Sequence, residues 1–270
     1  MTTMASHLTQ HDLSILEKIK DPESGPSAPL LVDSTLPRDP NITDQETYNA
    51  ISLIERSIIS SIQNIELQIA GLKPQISKAS PLPQYLECVE RLDELIKEHP
   101  NYASARNNRA QALRRIYGDG LLVTNPISPT LPENVLDHSP TEDTLISASI
   151  TILADLSTAI SLLTPSTPFS AISPQTGKTL SQAYTQRGAL YHFTAKALAV
   201  KGADLRISGS MKEAGWKTVD FEENASREFM VGGRFGNEIA KALAVAANPT
   251  AKLCGEMVKE AMRKEYFGGP

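Results

Sequence analysis

YASARNNRAQALRRIYGD, residues 102–119, decides the fold. It holds neither proline nor glycine before Gly118, and it is built largely from good helix formers. It therefore predicts a helix over 102–117, ended by Gly118-Asp119-Gly120. Ala110 sits near its middle, where a second helix can approach closely. Just upstream, QYLECVERLDELIKE (84–98) predicts another helix, with Leu86, Val89, Leu92, Leu95 and Ile96 facing inward. His99-Pro100-Asn101 is the tight turn between them. Helix, tight turn and helix with a small residue at the crossing form the unit of an α-helical repeat protein.

Working outward, the unit recurs. Residues 142–163 form a largely apolar helix, with Leu156 followed three residues later by Ala159. Residues 178–201 form the next, with Gly188 in the place of Ala110 and Tyr191 after it. Helices follow at 216–230, 237–247 and 249–266, the last two split at Asn248-Pro249. On the N-terminal side, Ile51, Ile54, Ile58, Ile62, Ile65, Ile69 and Leu72 are spaced three or four apart along 44–72, with Thr43 or Asp44 as N-cap. That stripe reads as core, or alternatively as a coiled-coil seam between chains. Residues 9–20 carry a short amphipathic pattern (Leu13, Leu16, Ile19) that Pro22 stops, and 21–40 hold five prolines and read as a linker. The expected organisation is a short helix and Pro-rich linker over 1–40, then a repeat domain over 41–270. Loops inserted near 73–83, 121–140, 164–176 and 203–215 stretch the repeats. The fold expected is an all-α, tetratricopeptide-type solenoid of about three helix pairs with a C-terminal capping helix at 249–266.

Composition narrows the function. A net charge of −5 argues against a nucleic-acid surface. There is no unbroken apolar run of membrane-spanning length, and the first residues lack a basic start before an apolar stretch, so neither a membrane span nor a secretory signal is expected. Cys88 and Cys254 lie far apart in helical patterns, which favours a reducing intracellular compartment over a disulfide framework. Thr176-Gly177-Lys178-Thr179 has the end of a phosphate loop, but Ile172 stands where the first glycine is required, so the segment reads as a helix start. No pair among His7, His11, His99, His138 and His192 has metal-ligand spacing, and neither cysteine has a histidine beside it in sequence. No catalytic role, metal or cofactor is expected.

Several blocks together resemble the tetratricopeptide repeat protein 36 family. They are HDLSILEKIKDP (11–22), ECVERLDELIKEHPNY (87–102), ASARNNRAQALRRIYGD (103–119), DLSTAISLL (155–163), AYTQRGAL (183–190), DFEENA (220–225) and AANPTAKLCGEM (246–257). The resemblance implies a protein-binding adaptor, linked to heat-shock-70 chaperones and to the regulation of tyrosine catabolism, in the cytoplasm with the nucleus as a further compartment.

Chaperone-type repeats grip a C-terminal carboxylate with Lys, Arg and Asn on the concave face. Here only Asn108 matches. Gln182 and Gln186 stand at the third-repeat positions, and the first-repeat positions fall near Ser61 and Ile65. A groove for some other segment of a partner protein is therefore expected, with Asn107, Asn108, Gln111, Gln182, Gln186 and His192 as candidate contacts. Asn107-Asn108 could equally be a polar pair within the fold. Arg106, Arg109, Arg114 and Arg115 read either as paired with nearby acids or as a contact for an acidic partner segment. Arg109 and Arg187 hold corresponding repeat positions, which predicts a shared structural role. The last helix, with Leu253, Met257 and Val258 on its apolar face, reads as a cap over the end of the stack or as a docking helix.

Overall fold

The computed structural model describes residues 30–74, 80–124, 135–167, 170–200 and 202–267. The short helix expected at 9–20 lies outside them. Among the described residues eight α-helices follow one another: α1 (Gln45–Ile69), α2 (Leu82–Glu98), α3 (Ala103–Tyr117), α4 (Glu142–Leu163), α5 (Pro174–Leu198), α6 (Thr218–Arg234), α7 (Glu238–Ala247) and α8 (Pro249–Phe267). No strand occurs among the described residues, and each helix packs mainly on its neighbours in sequence. The all-α repeat fold is thus as expected. α1 with α2, α3 with α4, and α5 with α6 form three pairs, and helix ends fall close to those read from the sequence.

Local chemistry sets the helix starts. Asp44, Thr141, Ser173 and Asn237 each accept from the backbone N–H three residues on, satisfying a donor the helix itself cannot. The Thr176–Thr179 segment lies inside the first turns of α5, behind the Ser173 cap and Pro174. The small residues sit at helix crossings as predicted. Ala110 is fully buried, and a Cβ on Gly188 would come 3.0 Å from the Phe229 ring and 3.1 Å from Glu228 Cβ on α6.

The isoleucine stripe is mostly internal. Ile51, Ile58 and Ile65 are buried and Ile62 packs against the same core, while Ile54, Ile69 and Leu72 remain exposed. A seam between chains would need the three central isoleucines that the chain uses within itself. On α2, Leu86 is turned outward, and Tyr85 and Cys88 fill the inner face instead.

Three other regions depart from expectation. Residues 30–40, read as linker, lie against the third pair. Asp33 N–H donates to Ile172 O (2.9 Å), Ile172 N–H to Leu31 O (2.9 Å), and Ser173 Oγ to Arg38 O (3.1 Å). Asp39 marks the docking: it is buried and accepts from the backbone N–H (2.8 Å) and Nδ2 (3.3 Å) of Asn41, whose Nδ2 also donates to Leu162 O (3.0 Å) at the end of α4. It lies by Ala103 at the start of α3, whose own N-cap, Tyr102, makes no side-chain cap bond. Burial raises the Asp39 carboxyl above its ordinary range. Next, the loops after α3 and α5 are partly core. Leu121, Leu122 and Val123 are buried, Thr124 N–H donates to Asp204 O (2.8 Å), and Arg206 N–H donates to Leu122 O (2.8 Å). Buried Glu213 accepts from Tyr191 Oη at 2.7 Å beside a cluster of Tyr191, Trp216 and Phe221. Finally, the cap is α7, which buries Ala240, Ala244 and Ala247, and not α8. Leu253, Met257, Val258 and Met262 of α8 are each more than half exposed.

α4 is long and apolar enough to cross a membrane, by length and composition. In the fold it is the second helix of the middle pair, with Ile152, Leu153 and Leu156 buried and Asp155 held in ion pairs.

Candidate functional site

α1, α3 and α5, the first helices of the three pairs, line a groove of about 1330 Å³, and the strap at 34–38 closes one edge. Its wall on α1 is a second helical stripe beside the isoleucines: Tyr48, Ser52, Glu55, Ile59, Ile62 and Glu66, again spaced three or four apart. α3 contributes Ser104, Asn108, Gln111 and Arg115, and α5 contributes Gln175, Lys178 and Gln182.

Five of the six expected contact residues meet here, in two layers: three face the open space and two lie behind them. Asn108, Gln111 and Gln182 line the open space. Asn107 is buried behind them: its Nδ2 donates to Gln182 Oε1 (3.2 Å), and its Oδ1 accepts from Gln186 Nε2 (2.9 Å). Gln186 also accepts from Arg114 (3.2 Å). Asn107 and Gln186 are therefore rungs joining α3 to α5, which explains an asparagine inside a helix: its side chain satisfies a neighbouring helix, not its own backbone. His192 does not join the groove. It lies on the other side of α5 against Phe229, at 6.0 Å between ring centroids, with buried Nδ1 lacking a hydrogen-bond partner. Burial, and then the charges of Lys196 and Lys252, lower its pKa to about 4. Of the first-repeat clamp positions, Ile65 is core and Ser61 Oγ donates to Ser57 O.

Sequence reasoning missed Glu55, the most enclosed acid of the groove. It accepts from Tyr102 Oη (2.5 Å) and Asn108 Nδ2 (2.7 Å), and burial raises its carboxyl above the ordinary range. Nearby, Glu66 accepts from Tyr85 Oη (2.7 Å) and from Arg115 Nε (2.7 Å). The signal was present: Glu55 and Glu66 are eleven residues apart, three helical turns, and so share a face. A C-terminal carboxylate entering at Asn108 would find that amide already donating to an acid.

The arginines divide by role. Arg109 binds both Asp155 oxygens (2.6 and 2.7 Å) and also Asp93 (2.6 Å). Arg187 binds both Glu228 oxygens (2.9 and 2.7 Å). Each thus ties the first helix of its pair to the second, the shared role their positions predict. Arg106 pairs with Asp155, Arg114 with Asp119, and Arg115 with Glu66. The cluster is satisfied internally.

The fold and site define an all-α helical-repeat protein with a polar concave groove. The chain is 35% identical over 267 residues to the L-tyrosine degradation gene cluster protein hmgX of Aspergillus fumigatus, spanning 97% of this chain and 94% of that protein, and it belongs to that family. It is also similar to Tetratricopeptide repeat protein 36 of Danio rerio, at 26% identity over 254 residues, 94% of this chain and 92% of that one. No protein-family model and no solved structure matches the sequence.

Proposed function

We propose that this protein is a non-catalytic adaptor of the cytoplasm that holds an internal, extended segment of an enzyme of tyrosine degradation along the α1–α3–α5 groove. The observation that carries the reading is the groove itself. It has room for a peptide, hydrogen-bonding groups on both walls at Gln111 and Gln182, and an apolar strip at Ile59, Ile62 and Leu67. The names of the two relatives support the repeat class and the pathway. The non-catalytic part is supported by how the acids are used: Glu55 and Glu66 are bonded to tyrosines and neighbouring side chains as parts of the scaffold. Because Glu55 occupies Asn108, a heat-shock-70 contact, if made, would use something other than a tail carboxylate in this groove.

The test is binding of purified tyrosine-degrading enzymes, one at a time, to the full chain. Gln63 and Gln111 both line the groove and are both exposed, so Gln63→Trp with Gln111→Trp fills it without entering the core. The reading expects one enzyme to bind and the double variant to weaken it at least about tenfold, roughly 1.4 kcal/mol. Unchanged binding by the double variant, or binding of none of the enzymes, overturns it.

A further inference from the structure

The charges around the groove are not what the rest of the molecule would lead one to expect. The chain carries a net charge of −5, and six arginines in the body of the stack are matched with acids: Arg106 and Arg109 with Asp155, Arg114 with Asp119, Arg115 with Glu66, Arg187 with Glu228, and Arg206 with Glu142. Three cations at the groove differ. Arg38, Arg56 and Lys178 are exposed and line the groove, and none of their side chains makes a hydrogen bond or ion pair with a described residue. Arg38 stands over the Tyr48 ring, 5.8 Å from its centroid. They come from three separate places: the docked strap, α1, and the first turns of α5. The two acids facing the same space are already bound, Glu66 to Arg115 and Glu55 to Tyr102 and Asn108. Over its whole lining the groove holds four cations, Arg38, Arg56, Arg115 and Lys178, against two acids, Glu55 and Glu66, an excess of two positive charges in a protein that is acidic as a whole. Cations gathered around one concavity attract an opposite charge, and the low-dielectric walls strengthen that attraction.

We infer that the groove selects an acidic segment: aspartate or glutamate side chains of an internal stretch reach Arg38, Arg56 and Lys178, while interleaved apolar side chains meet Ile59, Ile62 and Leu67. This rests on the adaptor reading above and names the chemistry of its ligand. It differs from a carboxylate-tail clamp in two respects. The ligand's charge is on its side chains, and one of the three contacts belongs to the strap, outside the repeats. Arg38 is held in place because its own carbonyl accepts from Ser173 Oγ (3.1 Å) and Thr176 Oγ1 (3.2 Å) at the start of α5. The strap therefore carries a specificity residue as well as closing the groove.

The probe is a fluorescein-labelled peptide of alternating Glu and Leu, blocked at both ends, titrated with the full chain by anisotropy. Three comparison peptides accompany it: Lys in place of Glu, Gln in place of Glu, and the Gln peptide with a free C-terminal carboxylate. The inference expects the Glu peptide to bind best, with affinity falling steeply between about 50 and 200 mM salt. Arg38→Gln, Arg56→Gln and Lys178→Gln together should weaken it about tenfold or more, and Arg263→Gln, on exposed α8, should not. Circular dichroism of each variant should be unchanged, since all four side chains lie on the surface. Equal binding of the Lys peptide, a preference for the free-carboxylate Gln peptide, or no response to the triple variant overturns the inference. If an enzyme is still captured in the groove while the Glu peptide fails, the charge assignment falls and the adaptor reading stands. If groove filling has no effect on the enzyme, the adaptor reading falls first.

Discussion

Removing Arg187 should do more damage than its position in a repeat protein suggests. Its guanidinium grips both oxygens of Glu228 at 2.9 and 2.7 Å, and it also donates to Ser157 Oγ at 3.0 Å. The two side chains are only 10% and 11% exposed. In Arg187→Ala the Glu228 carboxylate stays on α6, buried and without its cation, and Gly188 beside it lets α6 approach too closely for water to enter freely. Breaking a buried pair by removing one partner costs about 3–5 kcal/mol, because an uncompensated charge remains. Some solvent reaches this pair, so we expect the lower end, about 3 kcal/mol. Arg187→Met with Glu228→Leu removes both charges and should cost less than either single change, leaving a coupling of about 2–3 kcal/mol. The assay is urea unfolding followed by the emission of Trp216, the single tryptophan, which stacks edge-on against Tyr191 and Phe221 at the same pair of helices. A loss below about 1 kcal/mol for Arg187→Ala, or a double variant that loses the sum of the singles, would show that the pair does not hold α5 to α6.

Other outcomes follow from the same geometry. Gly188→Val should destabilise by about 1–3 kcal/mol, because its Cβ alone would come 3.0 Å from a fully buried Phe229 ring; thermal melting checks this, and a variant as stable as the parent would refute the close crossing. His192 is held neutral, with a folded pKa of about 4 against an ordinary value near 6.5. A lowered folded value means that its stabilising contribution is present above pH 6.5 and is lost as pH falls toward 4. Allowing for the solvent around a half-buried ring, the loss is about 1–2 kcal/mol, and His192→Leu should remove that part of the acid sensitivity. Glu55 has the opposite sign in pH. Its folded carboxyl is raised, so the native state gains stability relative to Glu55→Gln as pH drops from 7 toward 4.5, and a pH-independent difference between the two melting curves would contradict its burial.

Most of the fold was legible because helical periodicity and breakers are local signals. The run from Tyr102 to Asp119 has good helix formers, a glycine stop and a proline turn before it, and α3 occupies Ala103–Tyr117. Gly188 and Ala110 could be placed at crossings because small residues in the middle of an otherwise bulky helix have few other uses. What could not be read depended on contacts distant in sequence. Pro37 and Pro40 suggest a linker, yet the segment is anchored by bonds to Leu162, Ile172, Ser173 and Thr176, all more than a hundred residues later. Leu253, Met257 and Val258 look like an inner face, but α7 has already covered the end of the stack with three alanines. The candidate contacts were half right for a related reason. Asn108, Gln111 and Gln182 face the groove, but whether a polar residue on a helix faces open space or a neighbouring helix depends on the tilt between helices, which no single helix encodes. His192 fell on the far side by the same uncertainty.

The pairing scheme also explains why charged residues of α1 reach the groove. In the second and third pairs the helices are joined by Arg109 to Asp155 and by Arg187 to Glu228, so the ionisable residues at the crossing are used as structure. The first pair has no such ion pair among the described residues: Arg91 of α2 donates to Ser57 of α1 at 2.6 Å, Tyr85 of α2 donates to Glu66 of α1 at 2.7 Å, and the isoleucines supply the apolar part of the contact. Such a joint takes no cation from α1. Glu55, Arg56 and Glu66 stand beside the isoleucines on the groove side of that helix, where Asn108 and Arg115 of α3 meet the two acids and Arg56 makes no ion pair with a described residue. The isoleucine stripe that the sequence offered as a possible seam between chains therefore has another consequence. By supplying the apolar part of the first joint, it leaves Glu55 and Arg56 of α1 to the groove, and that is where a partner's charge would be read.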